Sequence, residues 1–289
     1  MSAEKPTYGI IGYPVEHSLS PLMHNTAFEE LGVAAIYKLF PLQEDELPQF
    51  FIDLRKKDCP VFGLNVTVPY KEKVIGHLDS LTPFALKAMS VNTIVISGER
   101  KMIGHNTDGP GFLAHLAELE FSPGGKRVAI LGAGGTTRAI IASLSLIPER
   151  PESILLYNRT AGKAEALVRD LGQRMDVSHV HLVPSIDDLN IELADLLINT
   201  TSVGLKDPQA CLIDEERLHS DMLVYDVVYD PRETKLLRIA QEKGASVANG
   251  LGLLFYQGIL SFQHWAGGQE LDQKIKNKIR KVLETGKSL

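Results

Sequence analysis

Cysteine is scarce: 289 residues contain only Cys59 and Cys211, far apart and without metal-ligand spacing. That excludes a disulfide framework, offers no zinc site, and fits a reducing cytoplasm. Long apolar runs are missing too. No stretch approaches the ~20 residues that cross a bilayer, and the opening MSAEKPTYGIIGYP has no basic flank leading into a long apolar segment. The expectation is a cytoplasmic, soluble chain without a membrane partner. Basic charge is in deficit, with 30 Lys and Arg against 36 Asp and Glu for a net −6. Lacking a broad basic field, the chain is a poor match for nucleic acid, and an anionic small molecule would need locally placed donors.

What is present is a globular composition, 44% hydrophobic and 23% charged, in a chain long enough for two cores. Short β-rich runs alternate with helical patterns: TYGIIG, PLMHNTAFEELG, YKLFPL, ELPQFFIDLRKK, FGLNVTV, KEKVIGHL. This alternation predicts an α/β fold with a mainly parallel sheet. After VNTIVI, the segment MIGHNTDGPGFLAHLAELEF opens a helix at Asp108 and Gly109, which places a domain boundary near Asp108. A second unit begins at KRVAILGAGG and repeats the alternation through SILLYNR, HVHLV, LLINTTS and LVYDVVY. The tail is helical, with Phe255 and Trp265 at core spacings.

In RVAILGAGGTTRAI a strand passes into a helix through Gly132, Ala133, Gly134 and Gly135. Gly132 permits the tight turn, and Gly134 lets backbone N–H groups approach a pyrophosphate at the helix terminus. Thr137 holds the third fingerprint position, where its branched side chain is expected to hold helix and strand slightly apart, so the match to the fingerprint is imperfect. Any tight βα connection uses glycine, so context matters. Where an NAD enzyme places a carboxylate after the next strand, this chain has Asn158, Arg159, Thr160 and, a turn later, Lys163. Two cations with amide and hydroxyl donors suit a 2′-phosphate, hence NADP. The plainer reading of the same residues is a helix start capped by Thr160.

In GLNVTVPYK, strand alternation puts Asn65 and Thr67 on one side and Val66 and Val68 on the other, with Pro69 ending the ladder and Lys71 beyond it. An edge strand meeting water would look the same. In GYPVEHSLSPLMHN, Ser18 and Ser20 precede a helix. Ser20 before Pro21 reads as an N-cap, and its hydroxyl can also meet a ligand carboxylate.

In their order, HSLSP, NVTVPYK, VNT, HNTDGPG, GAGGTTRA, NRT, NTTSVG, YDVVYDP and GLGLLFYQG resemble the shikimate dehydrogenase family over nearly the whole chain. The resemblance implies an N-terminal α/β substrate-binding domain, residues 1–107 plus a returning tail 250–289. It also implies a Rossmann-like NADP-binding domain with a parallel sheet over 108–249. The implied activity is reversible NADPH-dependent reduction of 3-dehydroshikimate to shikimate in aromatic amino-acid biosynthesis, by a monomer or homodimer without metal. Carried over, Ser18 and Ser20 hold the substrate carboxylate with Tyr229 nearby. Asn65, Thr67, Lys71, Asn92, Asp108 and Gln257 face the ring hydroxyls. Thr200 and Gly250 join the cofactor set. Because the first strand starts within ten residues, the family's fused dehydratase is expected to be missing.

Lys71 and Asp108 are the implied catalytic pair, since a carbonyl gaining hydride builds negative charge that needs a proton or cation nearby. Asp108 could orient Lys71, bind substrate or relay the proton. His17, His24 and His105 are read as packing or local hydrogen-bonding residues. Two rivals stand beside this reading, a quinate/shikimate dehydrogenase and a catalytically silent dinucleotide sensor. The absence of acid at the ribose position favours the NADP-linked enzyme over the first, and retention of Lys71, Asp108 and the two serines counts against the second.

Overall fold

The computed structural model describes residues 5–287. The chain divides into two compact units, one running up to Gly111 and resuming at Leu254, the other Phe112–Leu253. The second unit opens at Phe112, four residues beyond Asp108, and the first resumes at Leu254, four beyond Gly250, so Asp108 belongs to the first unit rather than opening the second.

The first unit contains β1 (Thr7–Gly12), α1 (Ser20–Glu30), β2 (Ile36–Pro41), α2 (Leu47–Leu54), β3 (Val61–Val66), β4 (Ser80–Leu81), α3 (Pro83–Ala88), β5 (Thr93–Ile96) and β6 (Met102–His105). The strands lie in the order β2-β1-β3-β5-β6-β4. Pairing is parallel except at β5, which runs against both β3 and β6. The cause is local. Ser97–Lys101 closes a hairpin, with Ser97 N–H bonded to the Lys101 carbonyl at 2.9 Å and Arg100 at φ 64°, and so short a link cannot make a parallel crossover. The buried Arg100 guanidinium donates to the carbonyls of Leu54 (2.8 Å) and Val61 (2.9 Å), tying the hairpin to the carboxyl end of α2. Ile11, Leu64, Ile94 and Met102 pack with Leu47, Phe51 and Leu54 of α2, each such burial being worth ~1.5–3 kcal/mol. KEKVIGHL forms only a short 3₁₀ turn, Lys73–His77.

The second unit holds most of α4 (Asp108–Glu118), then β7 (Arg127–Leu131), α5 (Gly135–Leu146), β8 (Ser153–Tyr157), α6 (Ala161–Gly172), β9 (Val180–Leu182), β10 (Leu196–Asn199), β11 (Leu223–Asp226), α7 (Lys235–Glu242) and β12 (Ser246–Ala248). Its sheet is wholly parallel, in the order β12-β11-β10-β7-β8-β9. This is the doubly wound dinucleotide-binding order, which reverses direction between β7 and β10. The helix α8 (Leu251–Trp265) leads back, and α9 (Gln273–Thr285) rests on α1, with Lys278 Nζ 2.6 Å from Glu30 Oε1. Among the described residues no helix is long and apolar enough to cross a membrane.

Candidate active site

In the first sheet the carboxyl ends of β1, β3 and β6 share an edge, and the reversed β5 brings its amino end there as well. Val66 N–H bonds to the Asn92 carbonyl at 2.8 Å, so Asn92 emerges beside the end of β3. Were β5 parallel, Asn92 would lie at the opposite edge. Lys71 is placed by its backbone: Val91 N–H donates to its carbonyl at 2.7 Å, while buried Tyr70 anchors the segment through its hydroxyl to the Leu42 carbonyl, 2.7 Å. Asp108 is set by Asn106, whose Oδ1 accepts from Asp108 N (3.0 Å) and Gly109 N (3.3 Å) and whose Nδ2 donates to the Ser90 carbonyl. Its carboxylate also sits in the first turn of α4, where the helix dipole favours negative charge.

The Lys71 ammonium lies 2.5 Å from Asp108 Oδ2, with the two side chains 12% and 6% exposed. Asn92 Nδ2 donates to the other oxygen, Oδ1, at 2.8 Å. Both carboxylate oxygens are therefore occupied and the ammonium is directed by its partner. Gln257 Oε1 accepts from Asn92 Nδ2 at 3.3 Å. This approach requires Gly111, because a Cβ there would stand 2.7 Å from the Gln257 backbone nitrogen.

Asn65 lies below this pair. Its Oδ1 accepts from the Tyr37 hydroxyl (2.7 Å), and its Nδ2 donates to the Asn92 carbonyl (3.1 Å), Thr93 Oγ1 (3.2 Å) and Ser261 Oγ (3.0 Å). The amide is thus committed to the protein, and the same buried network takes in Thr107, whose N–H meets Asn92 Oδ1 at 2.7 Å. Thr107 sits inside HNTDGPG and was legible there. Thr93 likewise sits inside VNT, whereas Tyr37 and Ser261 carried no motif signal; Ser261 reaches Asn65 across 196 positions of chain.

Thr67 is half-buried at the same edge, its N–H bonded to the Ile11 carbonyl. Ser20 does not cap α1. Leu19 holds the cap position with helical angles and Ser20 is already the first helical residue, buried beside the Tyr37 hydroxyl, because Ser18 Oγ takes the Ser20 N–H at 3.2 Å. His24 is buried and stacked on Tyr37 at 4.5 Å; desolvation lowers it to about 3, against an opposing contribution from Asn65. His105 lies against His264 at 4.0 Å, and burial followed by that neighbour lowers it to about 4. Both stay neutral at pH 7. Phe255 is buried, while Trp265 is half-buried and donates to the Ile94 carbonyl at 3.0 Å.

The second unit supplies the dinucleotide elements. Gly132 follows β7 at φ 105°, and a Cβ there would lie 2.4 Å from Thr200 Oγ1. Ala133 and Gly134 complete the turn into α5, with open space where a Cβ of Gly134 would stand. At the end of β8, Asn158 Nδ2 donates to the Thr160 carbonyl at 2.8 Å. Thr160 holds the cap position of α6 but its side chain accepts no capping bond. Arg159 and Lys163 are exposed, and among the described residues neither forms an ion pair with a carboxylate. Gly250 lies so close to the chain after β11 that a Cβ would meet the Val227 carbonyl oxygen at 2.0 Å. Tyr229 is half-buried in the loop after β11. Among the described residues no group of three or more His, Cys, Asp or Glu side chains could hold a metal ion.

Residues 10–94 match the model of the shikimate dehydrogenase substrate binding domain. Shikimate dehydrogenase (NADP(+)) of Geobacillus kaustophilus is 41% identical over 281 residues, covering 96% of this chain and 98% of the relative. The chain belongs to the shikimate dehydrogenase family. A family structure from Thermus thermophilus, shikimate 5-dehydrogenase in complex with NADP(H) and shikimate, is 34% identical with a TM-score of 0.81, covering 96% of this chain and 99% of that one. Quinate dehydrogenase from Corynebacterium glutamicum in complex with NAD matches with a TM-score of 0.86 at 27% identity, covering 97% and 99%.

Proposed function

We propose that this chain is an NADP-dependent shikimate dehydrogenase that reduces 3-dehydroshikimate to shikimate reversibly, in the cytoplasm. The observation that carries the reading is the Lys71–Asp108 pair, 2.5 Å apart and almost sealed from water, within a chain 41% identical to an enzyme of that name. The first unit takes the substrate and the second the dinucleotide, through Gly132, Ala133, Gly134, Gly135, Thr200 and Gly250. Arg159 and Lys163, with Asn158 and Thr160, receive the 2′-phosphate; two exposed cations that have no carboxylate partner among the described residues fit that group.

When bound, the dinucleotide supplies the hydride. The chain's own residues handle charge and proton. Ser18 and Ser20 hold the substrate carboxylate, while Thr67, Asn92 and Gln257 orient the ring hydroxyls. Asn65 supports Asn92 from beneath. Lys71 donates a proton to the carbonyl oxygen as negative charge builds there. Asp108, its oxygens divided between Lys71 and Asn92, keeps the ammonium aimed. In the oxidative direction the same path runs backwards, and the hydroxyl proton passes to the Lys71 amine.

Incubation with shikimate and NADP(+), followed by nicotinamide absorbance, tests this reading. NADPH formation is expected. No turnover would favour a silent dinucleotide-binding role, and quinate oxidation with NAD outpacing shikimate with NADP(+) would replace the substrate assignment.

A further inference from the structure

Two threonine hydroxyls bridge the point where the second sheet reverses its strand order. Thr200 Oγ1 lies 2.7 Å from the Leu131 carbonyl oxygen, and the Thr200 N–H reaches the same oxygen at 2.8 Å. A carbonyl only accepts, so the single proton of the Thr200 hydroxyl is committed to Leu131. The 2.8 Å contact between Thr137 Oγ1 and Thr200 Oγ1 then has one polarity, with Thr137 donating. A lone pair of Thr137 in turn accepts the Gly134 N–H at 3.1 Å. The result is a directional chain from Gly134 N–H through Thr137 and Thr200 to the Leu131 carbonyl. It joins both ends of the glycine turn to the segment following β10.

Sterics reinforce the chain. Gly132 must lack a Cβ because Thr200 Oγ1 occupies the place one would take, and its φ of 105° is open chiefly to glycine. Thr137 has no exposed surface, so its hydroxyl meets these protein partners and not bulk water, while Gly134 at the start of the chain is exposed. The branched side chain at this fingerprint position therefore does not loosen the turn. Its methyl packs in the interior and its hydroxyl locks the turn in place.

We propose that Thr137 is a positioning residue for the pyrophosphate of the dinucleotide: through Thr200 it fixes the glycine turn before the ligand arrives, so that binding carries no ordering cost. This rests on the dinucleotide-binding reading above and deepens it, turning the branched side chain from a spacer between helix and strand into the residue that holds the turn.

Equilibrium titration of the full chain with NADPH, by nicotinamide fluorescence, separates the two. Thr137→Val keeps the volume and removes the chain, so its Kd should rise about tenfold, the worth of the hydrogen bonds lost. Thr137→Ser should stay near wild type. In steady state the loss should fall on KM for NADP(+) and leave KM for shikimate in place, a split that general destabilisation does not produce. Thr200→Val should match Thr137→Val, and the double variant should be no worse than either, because one chain is broken once. Thermal melting reports folding of each variant. Thr137→Val binding NADPH within about twofold of wild type, or additive losses in the double variant, would overturn the proposal. A wild-type chain that does not bind NADPH would instead remove the reading beneath it.

Discussion

Lys71 and Asp108 stand 37 positions apart in the chain, yet Nζ and Oδ2 are separated by 2.5 Å. Neither group is surrounded by open water, and the carboxylate's other oxygen is held by Asn92. The pair is therefore prearranged rather than assembled by a ligand.

Lys71→Ala should lower kcat by about 10²–10⁴, the usual worth of a positioned acid, while shifting KM for shikimate much less. A near-normal kcat with a raised KM would make Lys71 a binding residue only. Asp108→Asn should reduce both kcat and stability, the latter by roughly 3 kcal/mol, because it leaves an ammonium enclosed without its counter-charge. Steady-state kinetics and urea unfolding measure the two effects.

Reversing both charges at Arg159 and Lys163 to Glu should raise KM for NADP(+) by about tenfold or more, since charge-assisted bonds to a phosphate are replaced by repulsion. KM for NAD should change little, as NAD has no 2′-phosphate. Equal changes for the two coenzymes would show that these residues do not read that group.

Gly111→Ala places a methyl 2.7 Å from the Gln257 nitrogen and 3.0 Å from its Cα, both backbone atoms that a side-chain rotation cannot clear. The α8 backbone must shift, at a cost of ~1–3 kcal/mol, carrying Gln257 away from Asn92. A lower melting temperature together with a raised KM for shikimate is expected. Wild-type values for both would mean that the approach is not tight in solution.

His24 is lowered to about 3 by burial, whereas an unfolded histidine titrates near ~6.5. Between these values the unfolded chain binds the extra proton, so this stabilising contribution is complete above pH ~6.5 and is lost as pH falls towards 3, at up to ~1.4 kcal/mol per pH unit. His24→Phe, which keeps a ring against Tyr37, should flatten that part of the profile. Urea midpoints at pH 7.5, 6 and 5 give the comparison, and parallel profiles for the two proteins would refute the assignment.

The elements were readable where the signal is local. Gly132 announces a turn that only a residue without Cβ can make beside Thr200, and the strand-helix alternation yields two α/β units. Asp108 opening a helix was equally plain. Less legible was β5, because VNTIVI reads as a strand whichever way it runs, and its direction depends on the hairpin that follows it. The cap of α1 was misplaced by one residue, since Ser18 rather than Ser20 supplies the first acceptor. The hydrogen bonds of Thr137 were illegible for a related reason: a branched residue looks like bulk until its hydroxyl has partners.

By itself the sequence determined which residue types stand at which spacings: a glycine turn, cations where an acid could stand, a lysine beyond a proline, and an aspartate at a helix start. Only the tertiary structure decided which polar groups direct their hydrogen bonds to one another. It closed Asn65 into a network with Tyr37, Thr93 and Ser261, and it joined Thr137 to Thr200. The reason is physical, because a buried donor or acceptor must be satisfied by whatever the fold brings within about 3 Å, and that neighbour is unrelated to distance along the chain.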